Sequence, residues 1–284
     1  MIGDKQDQTA ATGAVAIQAG RDVNYHGLSV AEVRELCALF LRSNFPELRE
    51  EAKRTAEQHV RDFASTLEQK LIHEAASIVL DKFREPDVQA AVNDAVQASA
   101  RKGTAANPQV LSSLIAERVS TQSTDYKDTV LSEAVTVVPK LTAPQIALIS
   151  FYHFVTSVTV NGLPSAAGLE AFARPIVNST KTGFDLSISQ KQHIQYAGAC
   201  SINAVVSGDI YEAVRANTYA YFGYENVASF KEGLSKLAPS YLLLLDQFTK
   251  ENLFTINLTS VGQAIAIANL SAILGKLDYS IWLK

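Results

Sequence analysis

Between Pro46 and Phe83 the chain contains no glycine and no further proline. Apolar residues recur there at every third or fourth position, the spacing of one face of an α-helix. They are Ala56, Val60, Phe63, Leu67, Leu71, Ala75 and Ile78. The pattern predicts one amphipathic helix about 55 Å long. Because a strict heptad is not kept, we expect a packed helical hairpin or an oligomer interface rather than an extended coiled-coil rod.

The composition is that of a folded protein. Hydrophobic residues make up 47% of the 284 residues and charged residues 19%, which is enough for the core of one large or two ordinary domains. The net charge of −4 weighs against nucleic-acid binding, which usually needs a basic surface. No secretory signal and no apolar run of about 18 residues occur, so we expect a cytoplasmic protein without membrane contact. Cys37 and Cys200 lie in apolar segments and are expected to be buried thiols.

Residues 1–28 follow a different pattern. Gly13, Gly20 and Gly27 recur at seven-residue intervals, and the segments between them alternate apolar and polar residues. This period of two predicts two short strands, arranged as a hairpin or an arch. Two strands alone are marginally stable in water, so we expect them to pack on the body or to pair with copies from other chains. A flexible tail is the alternative.

Capping signals and helix breakers divide the rest of the chain. Residues 29–32 and 142–145 match the capping-box pattern, in which a Ser or Thr and a Glu or Gln three positions later cap a helix reciprocally. Residues 103–107 interrupt the helical pattern and are the predicted internal boundary. We therefore expect an amphipathic helical region over 29–103 and a helical domain over 104–284.

The end of the chain alternates strand and helix signals. Residues 254–258 alternate as a strand does, Thr259 is expected to cap a helix that ends near Leu274, and residues 278–283 are expected to form a second strand. Gly262 would let that helix pack closely on a neighbour. The predicted fold class is mainly α: a multi-helical body with a short N-terminal β hairpin or arch and a small C-terminal β element.

No residue pattern indicates catalysis. Phosphate-loop, dinucleotide-binding and nucleophile-elbow motifs are missing from the sequence, and the histidines do not have metal-ligand spacing. The histidines are His26, His59, His73, His153 and His193. We therefore predict no catalytic residue, no metal and no cofactor, and favour a protein that is not an enzyme. The alternative is an enzyme or a nucleotide or small-molecule sensor whose site forms only in the fold, which a pocket ringed by Tyr152, His153 and His193 would favour.

Residues 254–270 resemble the strand-to-helix junction of winged-helix modules, in which a neighbouring helix can read DNA. Here the helix is almost wholly apolar and has no Lys or Arg before Lys276, so we expect it to be buried. A nucleic-acid-binding protein with a winged-helix-like C-terminal element is the third hypothesis, and we regard nucleic acid as an unlikely partner.

Both ends of the chain resemble one family of uncharacterised bacterial cytosolic proteins. The N-terminal signature joins GDK at residues 3–5 and QT at 8–9 to QAGRDVNYHGLS at 18–29, and the C-terminal one joins LTSVG to LDYSIW within residues 258–282. Residues 134–146 resemble helical modules of abortive-infection proteins of the Abi-alpha type. The first resemblance implies no activity and transfers no catalytic residue. The second implies a role in antiviral defence.

The leading hypothesis is a non-enzymatic, self-associating bacterial protein, a homo-oligomer that can also bind a protein partner. Its role in phage defence is what the Abi-alpha resemblance implies. Self-association is assigned to apolar positions of the two strands and of the long helix, and to a charged pair at the strand turn. These residues are Val15, Ile17, Arg21, Asp22, Val23, Tyr25, Phe63, Leu67 and Leu71. For the last three, packing in the core of one chain is the alternative.

Overall fold

The computed structural model describes residues 29, 31–32, 34–35, 46–121 and 124–283. The chain divides into two compact units, residues 1–52 and 53–284. In the first unit the predicted capping box is confirmed: the Ser29 hydroxyl accepts from the Glu32 amide at 3.2 Å, and the Glu32 carboxylate accepts from the Ser29 amide at 2.6 Å. The predicted strands of residues 1–28 and the side chain of Cys37 lie outside the described residues.

From residue 46 onward the described chain is mainly helical, as the predicted fold class requires. Its elements are α1 (Pro46–His73), α2 (Pro86–Lys102), α3 (Pro108–Arg118), α4 (Asp125–Val137), α5 (Ala143–Ser157), α6 (Ala167–Thr180), α7 (Ile188–Tyr196), β1 (Cys200–Ile202), α8 (Ile210–Ala213), α9 (Val227–Leu237), α10 (Pro239–Lys250), β2 (Ile256–Leu258) and α11 (Ser260–Leu274). Short 3₁₀ turns join several of them.

Helix α11 is the central element of the second unit. It packs against α3, α4, α5 and α6, and most of its residues from Val261 to Leu270 are buried. A helix that is apolar on all sides belongs in a core. The predicted cap is confirmed, because the Thr259 hydroxyl accepts from the Gly262 amide at 3.1 Å. Gly262 is required by a close approach: a Cβ there would lie 1.8 Å from the carbonyl oxygen of Ala199.

The small sheet is antiparallel. Cys200 pairs with Leu258, Ser201 with Asn257 and Ile202 with Ile256. The sequence pattern predicted a strand at β2 but none at β1, which begins at Cys200 after α7 ends at Tyr196. Gly198, with φ of +90°, provides the turn between them. Burial in the strand raises the pKa of the Cys200 thiol to about 11, so the thiol is unreactive at neutral pH.

Helix α1 ends at His73 and not at the predicted end near Phe83. The residues that follow bond to the segment after α3. Ile78 forms an antiparallel bridge with Ser120, and the next amide donates to the carbonyl of Val119 at 2.8 Å. Ile and Val favour an extended backbone, because both are branched at Cβ. Pairing of residues 78–79 with the segment after α3 therefore competes with continuation of helix α1.

The predicted second C-terminal strand is wrong. Residues Tyr279–Ile281 form a 3₁₀ turn, in which the Asp278 carboxylate accepts from the Ser280 amide at 2.9 Å. Asp at this position offers the backbone a local hydrogen bond, which favours a turn over a strand.

The predicted boundary at residues 103–107 lies inside the second unit.

Candidate functional site

An apolar groove runs along α1. One wall is formed by α1 itself and the other by the turns that follow it, Ala75–Ser77 and Leu80–Arg84, which we call the turn wall. The groove has a volume of about 550 Å³. Its lining residues are Ala64, Leu67, Glu68, Leu71, Ile72, Ala75, Ile78, Leu80 and Phe83. We call this cavity the α1 groove.

The α1 groove exists because the apolar stripe of α1 is only partly covered. Phe63, one turn before Leu67 in the stripe, is 2% exposed and belongs to the core. Leu67 and Leu71 are half-buried, whereas Ile72 is 67% exposed and Leu80 is 77% exposed. Large apolar side chains that cluster at this exposure mark a surface available to a partner.

The turn wall is held in place by hydrogen bonds to the segment after α3. The Thr121 amide donates to the Ser77 carbonyl at 2.9 Å, and the Lys82 ammonium donates to the Ser120 carbonyl at 2.7 Å. These bonds add to the bridge at Ile78. The groove is therefore formed before any partner binds, which lowers the ordering cost of binding.

A chain of alternating charges lies behind the turn wall. Glu74 accepts from Lys70 at 2.7 Å and from Lys276 at 3.0 Å. Deeper inside, Glu117 and Lys127 form an ion pair at 2.9 Å, with both side chains at most 5% exposed. Burial raises the pKa of Glu74, but the hydrogen bonds from the two lysines outweigh it and leave the pKa below its usual value.

A second charged cluster surrounds Arg118. Its guanidinium, 7% exposed, lies 3.0 Å from Glu85, 3.1 Å from Asp87 and 3.1 Å from Asp128. Desolvation lowers the pKa of Arg118, but the three carboxylates outweigh this and raise it. Asp87 also accepts from the hydroxyl of Ser132 at 2.7 Å. These contacts join α2, α3 and α4, so the cluster ties the three helices together at the protein surface.

The structure brings together only some of the sequence-predicted residues. Leu67 and Leu71 line the α1 groove, whereas Phe63 is buried in the core, which is the alternative stated for it. The other predicted self-association residues lie outside the described part of the chain. They are Val15, Ile17, Arg21, Asp22, Val23 and Tyr25.

The three residues proposed for a hidden pocket have separate surroundings. The Tyr152 hydroxyl donates to the Ile256 carbonyl, and the His193 ring contacts the Gln145 amide group at 3.1 Å. His153 is fully buried on α5 with its ring against Trp282, at 5.1 Å between centroids. Neither ring nitrogen of His153 has a hydrogen-bond partner among the described residues. Burial lowers the pKa of His153 to about 4, so the ring is neutral.

Sequence reasoning missed Ile72, Leu80 and Lys276. A signal for Ile72 was available, because it is an apolar residue of a helix that lies off the predicted stripe. Leu80 was predicted to lie in the long helix, but the helix ends at His73, so the helical pattern could not predict the exposure of Leu80. The position of Lys276 beside Glu74 depends on a contact between residues about 200 positions apart in sequence.

The described residues contain no group of three His, Cys, Asp or Glu side chains placed to hold a metal ion. In the same part of the chain no helix is both long and apolar enough to cross a membrane.

Comparison with known proteins gives one match. The model of a protein family whose description assigns no function matches residues 27–228 and 221–283. No curated protein matches the chain, and no solved structure matches it.

Proposed function

We propose that this chain, which belongs to the family of unknown function whose model matches it from residue 27 to residue 283, is a non-enzymatic protein that associates with copies of itself. The observation that carries the proposal is the preformed α1 groove with two exposed apolar side chains, Ile72 and Leu80, on its rim. Full burial of a Leu or Ile side chain contributes about 1.5–3 kcal/mol.

A second copy of the chain suits the α1 groove because the groove and its protruding side chains belong to the same surface. In a two-fold contact the same patch is used by both partners, so that a residue that protrudes from one copy can enter the cavity of the other. Ile72 and Leu80 are the protruding residues, and the cavity beside them is apolar. A two-fold contact would bury both residues in each of the two copies, four side chains in all.

The charges around the α1 groove also favour this occupant. Glu68 is the one charged residue among the described residues that line the groove. Asp81 and Arg84, on the outer side of the turn wall, form an ion pair with each other at 3.1 Å. Two copies can therefore approach through this surface with little repulsion between like charges.

The test is the mass of the full chain in solution, measured by light scattering. We expect a multiple of 30.7 kDa for the wild type. The double variant Ile72→Lys, Leu80→Lys should give 30.7 kDa at the same concentration, since both positions are exposed and the fold tolerates the change. Ile188→Lys is the matched control, because Ile188 is 76% exposed and lies on α7. A wild-type chain of 30.7 kDa at high concentration would reject the proposal.

A chain lacking residues 1–28 separates the two surfaces that were assigned to self-association. If the α1 groove is sufficient for self-association, the shortened chain forms an oligomer with the same number of copies as the wild type. If the predicted strands are needed as well, its mass falls to that of one copy. The role in phage defence implied by the Abi-alpha resemblance stays a prediction.

A further inference from the structure

The segment Lys276–Leu283, which we call the C-terminal strap, connects the core of the second unit to the turn wall. Its far end is firmly anchored. Tyr279 and Leu283 are each 3% exposed, and the indole nitrogen of Trp282 donates to the Ser157 carbonyl at 3.0 Å. At its near end the Leu277 amide donates to the Ser271 hydroxyl at 3.2 Å.

Lys276 is the contact between the strap and the turn wall. Its ammonium donates to Glu74 at 3.0 Å and to the Ser77 hydroxyl at 3.3 Å. Glu74 precedes the first turn of the wall and Ser77 is the last residue of that turn, whose first residue, Ala75, lines the α1 groove. A single side chain therefore fixes two points of the wall.

The environment of Lys276 makes this contact releasable. Its side chain is 49% exposed, whereas the Glu74 carboxylate it holds is 7% exposed. Without Lys276, Glu74 keeps only Lys70 as a basic partner at hydrogen-bond distance among the described residues. Solvent and salt reach a half-exposed ion pair far more easily than a buried one.

We propose that the C-terminal strap is a latch: through Lys276 it holds the turn wall in the position that keeps the α1 groove open to a second copy. This inference rests on the proposed function, because it assigns the control of the same surface. When the latch is released, the first turn of the wall becomes mobile and the groove loses its preformed shape. Self-association then weakens, because the wall must be ordered again when a copy binds.

The experiment compares Lys276→Met with Lys236→Met in the full chain. Methionine keeps an unbranched apolar stem and removes the ammonium. Lys236 is a matched control, because it forms an exposed ion pair with Glu232 at 2.6 Å on α9. Two quantities are measured: hydrogen exchange of the backbone amides of residues 74–84, and the dissociation constant of the oligomer by sedimentation.

For Lys276→Met we expect exchange in residues 74–84 to be about tenfold faster and the dissociation constant to rise about fivefold. Lys236→Met should change both by less than about twofold. Lys276→Gln, which removes the charge but keeps a polar side chain that can donate to Glu74, should give a smaller change in the same direction. It carries the test if Lys276→Met does not fold.

The outcomes separate the two proposals. Unchanged exchange in residues 74–84 for both strap variants overturns the latch, whatever the oligomeric state. Faster exchange with an unchanged or lower dissociation constant also overturns it, but leaves self-association standing. A monomeric wild type rejects the proposed function itself.

Discussion

Replacing His153 with leucine should remove a large part of the acid sensitivity of this fold. The imidazole is fully buried, and its two ring nitrogens have no hydrogen-bond partner among the described residues. Burial holds its pKa at about 4, below the ordinary 6.5. When the protein unfolds, the ring regains its ordinary pKa in water. Between these values the unfolded chain binds a proton that the folded chain does not.

The sign and size of the effect follow from this difference. Because the unfolded state binds more protons, the free energy of unfolding falls as the pH falls below 6.5. At about 1.4 kcal/mol per pKa unit, the gap between 6.5 and about 4 limits the loss to about 3.4 kcal/mol. At pH 5 the loss is about 2 kcal/mol. Carboxylates add their own losses mainly at lower pH, so the interval from pH 6.5 to 5 reports chiefly on histidine.

The assay is urea unfolding, followed by circular dichroism, of the wild type and of His153→Leu at several pH values between 7.5 and 5. Leucine fills much of the same space beside Trp282 without a titrating group. We expect the variant to be at least as stable as the wild type at pH 7.5, and its advantage to grow by about 2 kcal/mol by pH 5. His73→Leu, at an exposed position, is the control for the loss of a histidine as such. Parallel curves for the wild type and His153→Leu would refute the reasoning.

Three further predictions concern the stability of the fold. Gly262→Ala should destabilise the chain by at least about 3 kcal/mol in thermal unfolding, because its Cβ would lie 1.8 Å from the Ala199 backbone oxygen. Lys127→Met should cost about 3–5 kcal/mol in urea unfolding, because the buried Glu117 carboxylate loses its ion-pair partner at 2.9 Å, and adding Glu117→Leu should recover most of the loss. Thr142→Ala should cost about 1 kcal/mol in the same assay, because the amide at position 145 loses the capping hydroxyl.

Local signals predicted the fold where the structure is decided locally. Ser29 and Thr142 begin helices because their hydroxyl groups bond to backbone three residues away, and this chemistry is visible in the sequence. The helix after Thr259 was predicted for the same reason. Where the partner is distant, prediction failed: Ile78 leaves the helical pattern because it pairs with Ser120.

The missed strand β1 illustrates the same limit. Cys200 and its neighbours have an apolar pattern that suits a helix as well as a strand, and the choice is made by pairing with β2, about 58 residues later. Pro175 shows the reverse case. It lies inside α6, although proline removes a helical hydrogen bond, because tertiary packing of the buried Ile176 and Ala173 outweighs local preference.

The α1 groove was only half predictable, and the reason is physical. Helical spacing identified Leu67 and Leu71 as apolar positions on one face. Spacing alone does not distinguish a face that packs in the core of the same chain from one that stays exposed on the surface. Phe63 belongs to the same stripe and is buried. The difference arises because the chain turns away from α1 at Glu74, whose carboxylate bonds to both Lys70 and Lys276. The turn rests on contacts between residues far apart in sequence, Ile78 with Ser120 and Lys276 with Glu74, and the spacing of apolar residues along one helix does not reveal such contacts.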